Sequence, residues 1–326
     1  MKVTVQIKTG LLKDLKQVLK QLGRNWYCII TDENVYKHYG KDLPDDIDVI
    51  VKPAGEDLKK LKNIEIAAER LANLGLDRGS CLIALGGGVI GDFTGFLASV
   101  YMRGIPYIQM PTTLLSMVDS SIGGKTGVNL PNGKNLVGTF LQPITTLIDP
   151  EFLNTLPKKE LLNGVAESIK HACIRDPKLF DFLKKNRKKI LAKDTAILNK
   201  LITQSSAVKI AIVEKDEKEK GLRMLLNYGH TIGHAIEQAS NYKISHGEAV
   251  SIGMHQVNLL SKAKNTEEIA ELLKLYGLPT QIPRNISREK VKELIARDKK
   301  NISGKTTFVI VNEIGKAQTT NKLKYD

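Results

Sequence analysis

Residues 81–92, CLIALGGGVIGD, decide the fold of the first half of this chain. An apolar run of strand length leads through three glycines into a stretch that continues with helical periodicity. Gly86, Gly88 and Gly91 satisfy the pattern G-x-G-x-x-G, in which backbone amides at a helix start bind a pyrophosphate. The pattern predicts a dinucleotide site, and a tight structural turn is the alternative. The acidic residue that usually follows about 20 positions later is missing.

Short apolar runs alternate with helical stretches throughout residues 1–150. This alternation predicts an α/β, Rossmann-like domain built on a parallel sheet. Across residues 151–326, long amphipathic stretches replace the strands, so we expect a mostly α-helical second domain. The segment TTFVIVNEIGKAQTT near the end is the exception, because two β-rich runs around a turn predict a small β-hairpin.

Composition limits the classes of protein to which the chain can belong. No apolar run approaches the about 20 residues of a membrane helix, and MKVTVQIKTG lacks a signal-peptide core, which predicts a cytoplasmic protein. The cysteines Cys28, Cys81 and Cys173 lack paired spacing, so we expect buried thiols rather than disulfides. The net charge of +14 suits an anionic ligand. The net charge alone would favour a nucleic-acid-binding protein. The lysines of the chain are interleaved with acidic residues, however, which argues against this class.

A second glycine-rich stretch, DSSIGGKTG, fails the P-loop pattern, because a lysine at Lys125 would require glycine where Asp119 stands. What remains is a flexible loop carrying Lys125, followed by Lys134 and Asn135. Such side chains present cations and an amide to a phosphate or carboxylate. An exposed polar loop without a ligand explains the pattern equally well.

Three of the six histidines fall between positions 230 and 246. His230 and His234 are four residues apart, which places both on one face of a predicted helix, and His246 stands at the start of another. Together with Glu167 in the predicted helix NGVAESIK, they offer a Glu/His/His zinc site that leaves a coordination position for substrate. Packing or helix capping is the alternative use of such histidines.

Taken together, these segments resemble the 3-dehydroquinate synthases, a family of sugar-phosphate cyclases. The resemblance runs from TDENV at residue 31 to RDKK at residue 297. Its most specific part is residues 101–143, YMRGIPYIQMPTTLLSMVDSSIGGKTGVNLPNGKNLVGTFLQP. The other matching segments are PAGEDLK at 53, ALGGGVIGD at 84, NGVAESIKHA at 163 and GLRMLLNYGHTIGHAIE at 221.

The resemblance implies two cofactors, NAD and a divalent metal, zinc or cobalt. Carboxylates from earlier segments would then take the place of the missing ribose-binding acid. The implied metal ligands are Glu167, His230 and His246. The implied NAD-binding residues are Asp32, Asn34, Glu56, Lys59, Gly87, Gly88, Asp92, Thr112, Thr113, Asp119, Ser120, Lys125, Lys134, Phe152 and Thr155.

The implied reaction converts 3-deoxy-D-arabino-heptulosonate 7-phosphate to 3-dehydroquinate and phosphate, in the shikimate pathway of aromatic amino-acid biosynthesis. It proceeds by transient oxidation by NAD, phosphate elimination, re-reduction and intramolecular aldol cyclisation. A substrate with a phosphate and a carboxylate requires several fixed cations. The implied substrate residues are Lys125, Asn135, Lys170, Lys209, Arg223, Asn227, His234 and either Lys299 or Lys300, with Arg103 supplied by the neighbouring subunit of a homodimer.

His234 is the residue that we expect to relay protons. In its alternative role it would only hold the substrate phosphate, and the phosphate itself would accept the proton. Two rival enzymes share the expected cofactors. A related cyclase would form an amino-dehydroquinate or a ring without the carboxylate, and Arg223 argues against the second of these. A metal-dependent polyol dehydrogenase would have no use for Lys125, Asn135 or Arg223.

Overall fold

A computed structural model describes residues 2–296 and 306–325 of the chain. These residues form two compact units, Met1–Leu156 and Pro157–Asp326.

The strands of the first unit are β1 (Val5–Ile7), β2 (Tyr27–Asp32), β3 (Asp48–Lys52), β4 (Cys81–Gly86), β5 (Tyr107–Pro111), β6 (Lys125–Leu130), β7 (Gly133–Phe140) and β8 (Thr145–Ile148). Six of them form a parallel sheet in the order β1-β8-β5-β4-β2-β3. The α-helices of this unit are α1 (Leu15–Leu22), α2 (Glu33–Tyr39), α3 (Leu61–Asn73) and α4 (Gly88–Val100). Shorter helical turns lie at Gly40–Asp42, Glu56–Leu58, Tyr101–Arg103, Ser116–Ser120 and Pro150–Asn154.

The central strand β4 is buried at every position, which is why its sequence is continuously apolar rather than alternating. It leads directly into α4, as the glycine-rich stretch predicts. Helix α4 packs against the sheet and against β6. A Cβ on Gly95 would lie 2.4 Å from Cγ2 of Thr126, so only glycine permits this approach. The predicted α/β class of the first half is confirmed.

The stretch around Lys125 and Asn135 is not the flexible loop that the sequence indicates. Strands β6 and β7 pair there as an antiparallel hairpin, with Val128 opposite Val137. The prediction was wrong because glycine, asparagine and lysine are poor strand formers in isolation. Packing decides the structure instead: Val128 is fully buried and belongs to the core that α4 completes.

The second unit is mostly helical, as predicted. Its helices are α5 (Lys158–Arg175), α6 (Pro177–Leu191), α7 (Thr195–Val213), α8 (His230–Ala239), α9 (His246–Ser261), α10 (Thr266–Leu275) and α11 (Arg288–Ala296), with a 3-10 helix at Leu222–Asn227. The predicted hairpin is also confirmed, since β9 (Phe308–Glu313) and β10 (Lys316–Thr320) pair antiparallel. Gly315 turns the chain between them with φ of +89°.

Helix α7 corrects the expectation that no apolar stretch approaches the length of a membrane helix. It has 19 residues and is apolar enough to span a bilayer by length and composition, although half of that stretch is buried within the protein. Leu201 and Ile202 are fully buried, and α7 packs against α5 and α6. Its apolar character is therefore accounted for by the core of the helical unit.

The three cysteines are free and buried, as predicted. Burial raises the pKa of the Cys28 and Cys81 thiols to about 12 and raises that of Cys173 as well. Such thiols are neutral and unreactive at physiological pH.

Candidate cofactor and metal sites

The residues expected to bind a dinucleotide lie where parallel strands of the first unit end. Asp32 is the last residue of β2, Gly87 and Gly88 follow β4, and Thr112 follows β5. The carboxyl ends of parallel strands share one edge of a sheet, and this edge is where open α/β sheets bind ligands. Asp32 also accepts hydrogen bonds from the backbone amides of Asn34 and Val35 at 2.9 and 3.0 Å, which fixes the start of α2.

Two hydroxyl residues lie directly against the glycines at the start of α4. A Cβ on Gly87 would be 3.1 Å from Cγ2 of Thr113, and one on Gly88 would be 3.0 Å from Oγ of Ser120. The Ser120 hydroxyl is buried and has no hydrogen-bond partner among the described residues. The first amides of a helix also lack partners within the helix. The Ser120 hydroxyl and the first amides of α4 are thus unsatisfied donors beside Gly87 and Gly88, which have no side chains. This arrangement fits the pyrophosphate of a dinucleotide.

A buried lysine connects several of the expected residues. The Nζ of Lys59, which is 3% exposed, lies 2.6 Å from Oδ2 of Asp92 and 2.5 Å from Oδ1 of Asn135. Since the Asn135 carbonyl accepts from Lys59, its amide nitrogen is the group that faces other partners. Glu56 is 3.7 Å from the same ammonium. Lysine is rarely buried unless it is paired, and these contacts supply the pairing.

Asn129 completes this network, and sequence reasoning missed it. Its amide donates to Glu56 Oε1 at 2.7 Å, while its carbonyl accepts the backbone N–H of Asn135 at 2.8 Å. Asn135 has φ of +54°, a conformation that asparagine tolerates better than most residues. Asn129 could not be singled out because the sequence does not reveal that β6 pairs with β7. Without this pairing, nothing distinguishes Asn129 from the other polar residues of a predicted loop.

The remaining expected residues of the first unit lie on five other segments. Phe152 is buried, with its ring 4.9 Å from that of Tyr39 in an edge-on contact. The hydroxyl of Tyr39 lies 2.8 Å from that of Thr155. Lys125 begins β6 and is exposed, Lys134 lies on β7, Asp119 on the turn at Ser116–Ser120, and Arg103 is exposed after α4.

Three side chains of the second unit converge as the ligands of a metal ion do. The Nε2 atoms of His230 and His246 lie 3.5 and 3.3 Å from Oε1 of Glu167. Ligand atoms about 2.0–2.1 Å from a tetrahedral zinc are about 3.3 Å apart, so the spacing fits one ion. Glu167 comes from α5, His230 begins α8 and His246 begins α9. Two neutral imidazoles and a carboxylate are also the donor set of open zinc sites.

Glycines allow the helices that carry these ligands to approach closely. A Cβ on Gly233 would lie 3.0 Å from the carbonyl oxygen of Ala249, across the contact of α8 with α9. A Cβ on Gly247 would lie 2.6 Å from Cα of Asn163 on α5. Asn163 accepts the backbone N–H of Gly247 at 2.9 Å, next to His246. The backbone therefore fixes the relative positions of all three candidate ligands.

The third histidine, His234, lies beside the other two. Its ring centroid is 5.2 Å from that of His230 and 6.1 Å from that of His246. His234 lies one turn after His230 on α8, as the spacing predicts. It is only partly buried, which leaves it able to exchange protons with a ligand.

The charge state of His246 is governed by its two carboxylate neighbours. Burial by itself would lower the pKa of this imidazole, but hydrogen bonds to Glu167 and Glu237 raise it to about 10. Without a metal, the ring is therefore positively charged near neutral pH. A metal ion at Nε2 must displace that proton.

Three buried cations lie on segments that pack against one another. Lys170 on α5, Lys209 on α7 and Arg223 on the 3-10 helix at Leu222–Asn227 are 1%, 6% and 2% exposed. Lys170 is paired with Glu167, and the guanidinium of Arg223 donates to the carbonyl of Glu217. Fixed cations at this density fit a ligand with more than one negative group.

Glu219 and Glu237 are two further residues that the sequence did not single out. The amide of Asn227 donates to Oε1 of Glu219 at 2.7 Å, and Oε2 of Glu237 lies 3.4 Å from Nδ1 of His246. The spacing of Glu237 from His234, one helical turn, was the available signal. Lys299 and Lys300, the alternatives for a further substrate contact, lie outside the described residues.

Comparison with known proteins identifies relatives along the whole chain. Residues 49–163 match the family model for the N-terminal domain of 3-dehydroquinate synthase, and residues 164–301 match that for its C-terminal domain. The curated 3-dehydroquinate synthase of Xylella fastidiosa strain 9a5c is 44% identical over 339 residues, covering 98% of this chain and 86% of the relative.

Solved structures of two sugar cyclases are similar to the whole chain. The 2-epi-5-epi-valiolone synthase of Streptomyces hygroscopicus subsp. jinggangensis 5008, with NAD+ and Zn2+ bound, has a TM-score of 0.91 at 27% identity and covers 100% of this chain and 94% of its own. A 2-deoxy-scyllo-inosose synthase complexed with carbaglucose-6-phosphate, NAD+ and Co2+ has a TM-score of 0.87 at 26% identity, covering 98% and 92%.

Proposed function

Since this chain belongs to the 3-dehydroquinate synthase family, we propose that it converts 3-deoxy-D-arabino-heptulosonate 7-phosphate to 3-dehydroquinate and phosphate. The reaction would use NAD and one divalent metal, zinc or cobalt, because the two similar cyclase structures contain them. NAD would bind to the residues at the carboxyl edge of the sheet, and the metal to Glu167, His230 and His246.

The observation that carries the proposal is the set of buried cations on and around α5, the helix that contains the proposed metal ligand Glu167. Lys170, Lys209 and Arg223 are each more than nine-tenths buried, so they present three fixed positive charges on segments that pack against one another. A substrate with a phosphate and a carboxylate supplies anions for these charges. A neutral polyol does not, so a metal-dependent polyol dehydrogenase is disfavoured.

When bound, NAD supplies a hydride acceptor and the metal supplies a Lewis acid for adjacent hydroxyls. The protein must hold the substrate while its oxidation state changes and changes back. Arg223 suits the carboxylate because its planar guanidinium pairs with both oxygens, and Lys209 adds a point charge. Lys125, Lys170, Asn135 and Asn227 would hold the phosphate and hydroxyl groups through charged and amide donors.

His234 would carry the protons that the reaction moves. Its ring lies beside those of His230 and His246, so it would be close to a substrate held at the proposed metal site. An imidazole changes charge near neutral pH, so it can accept a proton in one step and return it in a later one. Hydride leaves and returns within one turnover, and no reduced NAD should accumulate.

The proposed reaction is tested by following two products together. Purified protein is incubated with the heptulosonate phosphate, catalytic NAD and zinc or cobalt. We expect phosphate release in proportion to substrate, no accumulation of NADH, and loss of activity on chelation. Accumulation of NADH with a polyol would instead identify a dehydrogenase. Release of phosphate from a sugar phosphate without the carboxylate, at an equal rate, would identify a different cyclase.

We further propose that the protein is a cytoplasmic homodimer in which Arg103 completes the site of the neighbouring subunit. Arg103 is exposed and lies in the turn that follows α4, with φ of +68°. Its neighbours Val100 and Met102 are apolar yet 45% and 40% exposed. Exposed apolar residues around a charged one are typical of an interface centre.

Mixing two inactive variants tests this shared arrangement. Arg103→Ala lacks the donated side chain, and His230→Asn lacks a metal ligand, so each homodimer is expected to be inactive. Mixed dimers contain one complete site, and random exchange should restore about a quarter of wild-type activity. A mixture that stays inactive although the subunits exchange would show that Arg103 acts in its own chain.

A further inference from the structure

Glu237 has no role in the reaction proposed above, yet it is a buried carboxylate in contact with a metal ligand. It lies on α8 and is 8% exposed. Its Oε2 is 3.4 Å from Nδ1 of His246, while Nε2 of the same ring faces Glu167. We propose that Glu237 is a positioning residue, which accepts a hydrogen bond from the Nδ1–H of His246 and thereby directs Nε2 to the metal. This inference rests on the metal site of the proposed function.

Both ligand histidines have an oxygen at the nitrogen that faces away from Glu167. For His230 it is the carbonyl of Tyr228, 3.1 Å from Nδ1, and for His246 it is the carboxylate of Glu237. An acceptor at Nδ1 keeps the proton there and leaves the Nε2 lone pair for a metal. A carboxylate acceptor also makes the imidazole a stronger electron donor than a carbonyl does.

The local structure explains why a carboxylate is needed at His246 in particular. His230 lies only two residues from its acceptor, so the chain itself holds that contact. His246 is the first residue of α9, after Ser245, whose capping interaction with Glu248 fixes the helix start. That cap orients the backbone but not the imidazole ring. Glu237, seven residues after His230 on the neighbouring helix, fixes the ring from the side.

A second metal site is the competing explanation, because ligand atoms of His234, Glu237 and His246 also lie within 4.8 Å of one another. His246 would then have to give Nδ1 to one ion and Nε2 to another, as a deprotonated ring. A hydrogen bond to Glu237 requires only the neutral ring that an ordinary zinc ligand has. The two explanations differ in metal stoichiometry, one ion per chain against two.

The test compares Glu237→Gln and Glu237→Ala with Glu271→Gln, a control at an exposed position of α10. Zinc affinity is measured by competition with a chelator, and the cobalt-loaded proteins are compared by their visible absorption. We expect a 10- to 100-fold loss of affinity in Glu237→Ala, as is usual when such an outer partner is removed. Glu237→Gln, which keeps an oxygen acceptor without the charge, should lose less, and the control should be unchanged.

Long-range proton–nitrogen NMR of the zinc-loaded proteins gives a readout that loss of packing would not change. The wild type should show His246 with its proton on Nδ1 alone, and Glu237→Ala should show a mixture of tautomers. Equal zinc affinity in all variants would overturn the inference while leaving the proposed reaction intact. So would two zinc ions per wild-type chain with one lost in Glu237→Ala. Failure of the wild type to bind zinc would instead contradict the proposed function.

If Glu237→Ala does not fold, Glu237→Gln and Glu237→Asp keep the test decisive, because both retain an acceptor oxygen. Aspartate shortens the side chain by one methylene, so it should bind zinc more weakly than the wild type while keeping the negative charge. Thermal unfolding of the metal-free proteins separates a lost fold from a lost hydrogen bond. Zinc affinity that falls only in step with unfolding would contradict the positioning role.

Discussion

Glu167→Gln is expected to reduce turnover by about 10³-fold or more and to remove stoichiometric zinc binding. Glu167 provides the oxygen that both histidine Nε2 atoms approach, and it is the one charged member of the proposed ligand set. Loss of a Lewis acid costs several kcal/mol in the transition state, and about 4 kcal/mol corresponds to the expected factor. Metal content after dialysis and the rate of phosphate release measure the two effects.

The same change removes the negative charge that is paired with the buried Lys170, so the variant should also be less stable by about 3 to 5 kcal/mol. The double variant Glu167→Gln/Lys170→Met separates the two consequences. It removes both charges, and we expect it to recover most of the lost stability without recovering metal binding. His230→Asn is the matched ligand variant that leaves the ion pair intact. Stoichiometric zinc in folded Glu167→Gln would show that the ligand set is assigned wrongly.

The sequence predicts the parts of this site that depend on local periodicity. The strand, glycine turn and helix of residues 81–92 follow from a continuous apolar run and a helical one. His230 and His234 lie on one helix face because they are four residues apart. These features need no knowledge of distant contacts, so a single sequence suffices for them.

Choosing the metal ligands among the histidines is beyond such reasoning. Spacing alone groups His230 with His234, whereas the structure places Nε2 of His230 and His246 about Glu167. The deciding contacts join three helices, and the glycines that bring α8 and α9 together carry no periodic signal. Only the resemblance to the 3-dehydroquinate synthase family predicted Glu167, His230 and His246 as the ligand set.

The network around Lys59 shows the same limit in the first unit. Lys59 meets Asp92 and Asn135, which are 33 and 76 residues away along the chain. Asn135 reaches it because β6 and β7 form a hairpin, which the sequence indicates as a loop. Strand pairing of polar, glycine-rich segments depends on the surface that they cover, here α4, and this surface is known only once the fold is known.

Gly253→Ala should destabilise the second unit by about 3 kcal/mol, at the upper end of the usual cost of overpacking. A Cβ there would lie 1.9 Å from the carbonyl oxygen of Gly229 and 2.9 Å from the amide nitrogen of Gly233. Both are backbone atoms, so no side-chain rotation can relieve the clash and α8 must move away from α9. Since Gly229 immediately precedes His230, the movement would also displace this proposed metal ligand. Zinc affinity should therefore fall together with stability.

Thermal unfolding of the metal-free protein measures the first effect, and 3 kcal/mol corresponds to a fall of roughly 6–12 °C in Tm for a unit of this size. Leu259→Ala, at a position of α9 that is 47% exposed, is the control on the same helix and should shift Tm little. Chelator competition on the folded fraction measures the second effect. If Gly253→Ala melts and binds zinc as the wild type does, the close contact of α8 with α9 is not what sets the spacing of the two histidines. A loss of stability with unchanged zinc affinity would mean that the other two proposed ligands, and not the backbone at Gly229, determine the position of His230.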